Sequence, residues 1–360
     1  MTVVGSRVGY SHGIVILVSD IGVCQRRINE DESQIFLIET CLVNKMRLRV
    51  RSCFRVRGVY QMTGYLLLFL FMLLTLQLRD TMSDCTIFNL QGTVFFRPRP
   101  HFFCIKYSGN LGDQMFQYAF LLTLRIRYSA EIILPADNIL TPAFDIVPQN
   151  EFILQYCDCF TKRTQQETKY DFDPSLLNVD INFEGNYKSS KYFESQVDEV
   201  RSSFHPKKWI TSKVHQELDK VRLKHSGKNS TVVGIYLGHP VEIFDKASVE
   251  NFLQKAMQLY RDHYTSVIFI CVIKQGAKTI WMNYEFVRLK DVSVLVETRE
   301  EVVLGLLAGV DHSIVLNESL AWWGAWLARG KVVYYQDSPV STGSTHSDNM
   351  KYPPNWVALS

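Results

Sequence analysis

The chain has 360 residues, 47 % of them hydrophobic and 21 % charged, enough apolar material for one large domain or two modest ones. Its formal net charge is only +3, and much of the basic excess lies between Lys45 and Arg57. The broad cationic surface that nucleic acid requires is missing, which excludes nucleic acid as a partner.

Residues 1–44 carry no interpretable motif, and their apolar run GIVILVSDIGV is too short and too interrupted to cross a bilayer. They read as either a long cytosolic tail or an extension outside the working protein. The basic cluster Lys45, Arg47, Arg49, Arg51, Arg55 and Arg57 follows, and then Gly58 to Leu78, a segment without a single charge. About 20 helical residues cross a hydrocarbon core, and basic residues stay on the cytosolic side. The expected order is a cytoplasmic tail (1–57), a transmembrane signal anchor (58–79) and a stem (80–100). The rest of the chain then lies in the secretory lumen. A cleaved signal peptide is the competing reading, but QLRDTMSD offers no small-residue cleavage site. Five cysteines (Cys85, Cys104, Cys157, Cys159, Cys271) would face an oxidising compartment, and their odd number leaves at least one free or paired between chains. No metal site follows from their spacing. Of the two sequons, Asn229 and Asn317, the second is expected to be too embedded for glycosylation.

The first structured unit, 101–228, opens with a strand at Phe102 to Tyr107, the loop SGNLGDQ, a helix from about Asp113 to Tyr128 and a strand EIILP. Gly109 and Gly112 permit positive φ and close approach to a bound group, while the new helix offers its free N–H groups to a phosphate or sugar hydroxyl. A less regular middle, Asn150 to Lys208, contains EGNYKSSKYFES. The second unit, 229–360, alternates cleanly between strands (TVVGIYL, SVIFICVI, VSVLVE, SIVLN, KVVYY) and helices at Ser248 to Tyr264, Thr298 to Leu307 and Leu320 to Ala328. Thr298 and Glu301 are expected to form a capping box. Continuous β-branched strands between helices predict parallel sheets covered on both faces, in two Rossmann-like α/β units. Such sheets bind ligands at the carboxyl ends of their strands, and SGNLGDQ, GHPVE and NES stand at three such ends.

Together these stretches resemble the α1,2-fucosyltransferase family, Golgi type II membrane enzymes that move fucose from GDP-fucose to galactose-terminated glycans. The family's G-x-L-G-N-Q is similar to Gly109-Asn110-Leu111-Gly112-Asp113-Gln114, and its G-Y-F-Q-S-x-K-Y-F to Gly185 through Phe193. Its Asn followed by Ser or Thr ahead of W-W-x-A-x-L is similar to Asn317, Ser319, Trp322, Trp323, Ala325 and Leu327, and its P-E-W to Pro354-Asn355-Trp356. The resemblance implies a GT-B-like α/β fold with two units facing a cleft, acceptor on the first and nucleotide sugar on the second. It also implies a Golgi membrane location and no cofactor or metal beyond the GDP-fucose donor.

Carried residue by residue, it places Gly109, Gly112, Gln114, Asn317 and Ser319 at the nucleotide sugar; His239 and Lys274 join them by their position at strand ends, and Asp113 and Asp311 are candidates for the base that such a transfer needs. Lys191, Tyr192 and Trp322 fall to the acceptor or to structure. Ser319, opening a helix, has a hydroxyl to donate beside free N–H groups, and at least one of Trp322 and Trp323 is expected in the core. The sequence departs from the pattern at Asp113, where the family has Asn. It departs again at Tyr236 to Val241, where the family's H-x-R-R-x-D arginines are missing and Lys274, at the next strand end, is the substitute charge. That loss sets an alternative beside the transferase: a Golgi pseudoenzyme that binds glycan or nucleotide without turnover.

Overall fold

The computed structural model describes residues 10–11, 14–19, 22–27, 68–73, 100–165, 179–225, 230–238, 246–336 and 352–360. The chain divides into two compact units, Met1–Ser83 and Asp84–Ser360. In the first, β1 (Tyr10–Ser11), β2 (Ile14–Ser19) and β3 (Gly22–Arg27) form an antiparallel sheet. Residues 68–73 are helical, and all six apolar side chains are exposed. The remainder of the expected anchor lies outside the described residues, and among those described no helix is long and apolar enough to cross a membrane.

The second unit holds two all-parallel sheets. The smaller has the order β5-β4-β7-β6, from β4 (Phe102–Ile105), β5 (Glu131–Ile132), β6 (Thr161–Thr164) and β7 (Ile181–Glu184). Helix α1 (Leu111–Tyr128) joins β4 to β5, and α2 (Val197–Ser203) and α3 (Lys208–Lys224) follow β7. The larger sheet has the order β10-β9-β8-β11-β12-β13, from β8 (Thr231–Leu237), β9 (Val267–Lys274), β10 (Val292–Glu297), β11 (His312–Val315), β12 (Val332–Tyr335) and β13 (Val357–Leu359). Its helices are α4 (Lys246–His263), the short α5 (Lys278–Trp281), α6 (Glu300–Ala308) and α7 (Ser319–Ala328).

Successive strand side chains point to opposite faces, so each central strand of this sheet serves two cores. On β8, Val232 and Tyr236 join the cluster around α6 and α7, while Val233, Ile235 and Leu237 pack with α4. The first cluster is continuous across both sheets, running from Phe103 and Phe116 to Trp322 and Trp356. Helix α7 is apolar all round and accordingly buried all round: Trp322 and Trp323 are both 0 % exposed, where at least one had been expected inside. They pack with Phe116, whose ring lies 4.7 Å from Trp322 and 4.9 Å from Trp323. Helix α3 is not anticipated by the sequence reading. Its Ile210 and Val214 lie over Gly305 of α6, so it covers the larger sheet rather than the smaller.

Cys104 and Cys157 form a disulfide, and Cys159 is disulfide-bonded as well. Cys271 is a free thiol buried in β9, its pKa pushed up by burial and then by Asp291. The expected Thr298–Glu301 capping box is absent. Helix α6 starts at Glu300 with Arg299 as an uncapped N-cap. Glu297, at the end of β10, instead accepts from Thr298 N at 3.0 Å and Arg299 N at 3.2 Å, and Lys213 Nζ holds it at 2.8 Å.

Candidate active site

A capping box does form at the start of α1. Asn110 Oδ1 accepts from Asp113 N at 3.0 Å, and Asp113 Oδ2 accepts from Asn110 N at 3.1 Å. Gly109, at φ 82°, makes the turn that leads into it; a β-carbon there would run into the Asp113 carboxylate. Gly112 serves a different close approach from the one expected. A β-carbon on it would stand 2.5 Å from Leu320 N and 2.6 Å from the Ser319 carbonyl carbon, because the starts of α1 and α7 press together there. Ser319 Oγ donates to Asn110 Oδ1 at 2.9 Å, and Trp323 Nε1 donates to Gly112 O at 2.9 Å. The two helix starts therefore meet at the carboxyl edges of both sheets.

The positive end of α1 is filled from within the chain. Glu300 Oε2 accepts from Leu111 N at 2.8 Å, while Glu300 Oε1 lies 3.6 Å from Lys274 Nζ. A carboxylate thus takes the place that the sequence reading kept for a phosphate. Lys274 does stand at the end of β9, tied to that carboxylate. Glu318, the residue before α7, lies over Gly238 at the end of β8. Tyr236, two residues earlier, has its phenol pKa raised by burial first and then by Glu318 and Glu300. His239 lies outside the described residues.

Asp113 is the better placed of the two expected bases: Oδ2 closes the capping box, while Oδ1 accepts no hydrogen bond among the described residues and lies 3.1 Å from Lys188 Nζ as an ion pair. Asp311 is a correction. It stands where β11 begins and accepts from Val232 N at 2.8 Å, at the amino edge of the sheet. The length of β11 separates it from Ser319, because an acid that precedes a parallel strand arrives at the end opposite the ligand edge. Asn317 is exposed, which corrects the expectation that it is embedded. Ser319 is buried, with its hydroxyl committed to Asn110. Trp322 and Tyr192 are core residues, and Lys191 is exposed. Gln114 is 8 % exposed, and its Oε1 has no hydrogen-bond partner among the described residues. Such a buried acceptor calls for a donor, as an ordered water provides.

The sequence reading missed Gln117. Fully buried, it accepts from Ser108 N at 3.1 Å and turns Nε2 toward Ser108 Oγ, Gly185 O and Asn186 Oδ1 at 3.3 to 3.5 Å, binding the two loops at the ends of β4 and β7. Its signal was a glutamine inside the otherwise apolar MFQYAFLL. Glu300 gave no signal, being one acid among several at the start of a helix.

Residues 88–360 match the family described as glycosyl transferase family 11. The chain belongs to glycosyl transferase family 11. Within this family setting, the chain is 24 % identical over 269 residues to the galactoside alpha-(1,2)-fucosyltransferase 1 of Oryctolagus cuniculus, covering 70 % of this chain and 72 % of that one. It is 22 % identical over 258 residues to an alpha-1,2-colitosyltransferase of Escherichia coli, covering 62 % and 86 %. Among solved structures, a point variant of Arabidopsis thaliana FUT1 in complex with GDP superposes with a TM-score of 0.45 at 10 % identity, covering 74 % of this chain and 77 % of that one.

Proposed function

We propose that this family 11 member transfers L-fucose from GDP-fucose to a galactose-terminated glycan, by single displacement with inversion at the sugar carbon. Family membership and the fucosyltransferase relatives support the activity and favour turnover over the inactive reading. One geometric observation carries the site: Ser319 Oγ meets Asn110 Oδ1 at 2.9 Å, joining the starts of α7 and α1 where the carboxyl ends of two parallel sheets come together. Parallel α/β sheets bind ligands at that edge. In this reading the smaller sheet takes the acceptor and the larger one the nucleotide. A single-pass anchor at 58–79 with a lumenal catalytic part completes the proposal. The basic cluster before it and the six exposed apolar side chains of 68–73 support that placement.

The test is incubation of the purified full chain with radiolabelled GDP-fucose and a β-galactoside. Label transferred to the 2-hydroxyl of galactose, with release of GDP, is the expected result; no transfer to any galactoside would overturn the reading.

A further inference from the structure

We propose that Lys188 binds the diphosphate of the nucleotide in this chain, with Asp113 as the residue that positions it. The proposal rests on the nucleotide-sugar reading of this site and names a cation that the sequence motifs did not assign.

The segment that carries Lys188 is held more firmly than a surface loop needs to be. Tyr187 takes φ 53°, a left-handed backbone that side chains other than glycine seldom adopt, although it is buried. Its ring stacks on Phe120 at 3.8 Å and 7°, and its N–H, like that of Asn186, donates to Gln165 Oε1 at 2.9 to 3.0 Å. Gln117 reaches Gly185 O and Asn186 Oδ1 from α1. A strained residue that its surroundings over-determine in this way marks a place where the fold fixes something for use. What it fixes next in the chain is the Lys188 ammonium, 3.1 Å from Asp113 Oδ1 and 21 % exposed.

That ammonium stands at the end of a network crossing the seam between the sheets. Asp113 Oδ2 accepts from Asn110 N at 3.1 Å, and Asn110 Oδ1 accepts from Ser319 Oγ at 2.9 Å. Asp113 sits in the first turn of α1, so the helix start and Asn110 N–H already offset its charge. Its contact with Lys188 through Oδ1 is an ion pair without a directed hydrogen bond, which leaves the ammonium's N–H donors to turn toward an incoming anion. The cations of the larger sheet are paired with carboxylates as Lys188 is, but on that sheet's own side of the seam. Lys213 and Arg299 both face Glu297, and Lys274 faces Glu300, which is itself fixed to Leu111 N. With Glu318 also lying over Gly238, the larger sheet presents carboxylates at its ligand edge, and Lys188 brings positive charge from across the seam.

The test measures GDP affinity of the full chain by calorimetry and guanosine affinity by saturation-transfer NMR, with fucose transfer assayed in parallel. In K188M the GDP dissociation constant is expected to rise about 30-fold, as for loss of a charge-assisted contact, while guanosine binding stays unchanged. K188R is expected to recover most of the GDP affinity. The neutral pair D113N/K188Q is expected to melt near the parent while still losing GDP. Wild-type GDP affinity in K188M or in the neutral pair overturns the proposal, as does parallel loss of guanosine and GDP, or a parent chain that binds no GDP. A parent that binds GDP without transferring fucose sinks the transferase reading alone.

Discussion

Asn110 Oδ1 accepts two hydrogen bonds, one from Asp113 N inside its own helix cap and one from Ser319 Oγ, 209 residues further along the chain. One oxygen thus both starts α1 and fastens it to α7. Ser319→Ala is expected to cost about 1 kcal/mol, and Asn110→Ala about 2 kcal/mol because it also loses the cap. Urea unfolding of the two single variants and the double checks this. A double-variant cost equal to the plain sum would show that the two residues do not act together.

Gly112→Ala tests the seam by volume rather than by polarity. The added carbon would stand 2.5 Å from Leu320 N and 2.6 Å from the Ser319 carbonyl carbon, and both obstacles are backbone. Relief requires the two helix starts to part. The expected loss is about 2 to 3 kcal/mol, opposite in sign to the same substitution at an exposed helical glycine, which stabilises. Retention of the parent melting temperature would contradict the close approach.

The Cys104–Cys157 bridge closes 53 residues of chain and ties β4 to the segment after the smaller sheet's first crossover. Chain-entropy arguments give about 4 kcal/mol for a loop of that size. Cys104→Ala/Cys157→Ala is expected to lower the denaturant midpoint accordingly, with guanidinium unfolding as the measurement. Cys271, buried with its thiol pKa pushed up, is expected to resist alkylation in the native state and to react only on unfolding.

Acid sensitivity is expected at Glu297. Burial raises its pKa, but the hydrogen bond from Lys213 and those from Arg299 and Thr298 N–H outweigh burial and leave it lowered. A carboxylate whose folded pKa is depressed contributes its stability above the ordinary value near 4.5 and loses it as pH falls through the lower folded value. Glu297→Gln is therefore expected to cost about 1 to 2 kcal/mol at pH 7 and progressively less as the pH drops below 4.5. Unfolding measured across that range would expose a cost independent of pH, which would contradict the charge pairing.

Much of the larger sheet was legible because its strands are unbroken β-branched runs; VSVLVE matches β10 residue for residue. Helix α3 escaped because its apolar residues, Ile210, Val214, Leu218 and Val221, are scattered at helical spacing among lysines and other polar side chains. The pieces of the site were visible as loops at strand ends, yet their joint was not. Nothing local to Asn110 announces Ser319, and nothing in Glu300 announces that it reaches Leu111 N. Gly112 was read correctly as a point of close approach, but what approaches is another helix. The failure at Thr298 has the same origin: a neighbouring glutamate, fixed by Lys213 from α3, took the Thr298 N–H that a local capping box would have given to Glu301.

The placement of α3 bears on how this protein can be cut and rejoined. Encoded ahead of the larger sheet, it lays Ile210 and Val214 on Gly305, inside a core that also reaches Phe103 and Phe116. A gene divided after Lys224 would leave each fragment with an open greasy flank, one lacking its cover and the other carrying a cover with nothing beneath. Fragments made separately are thus destined for inclusion bodies, and only co-expression would let them reassemble.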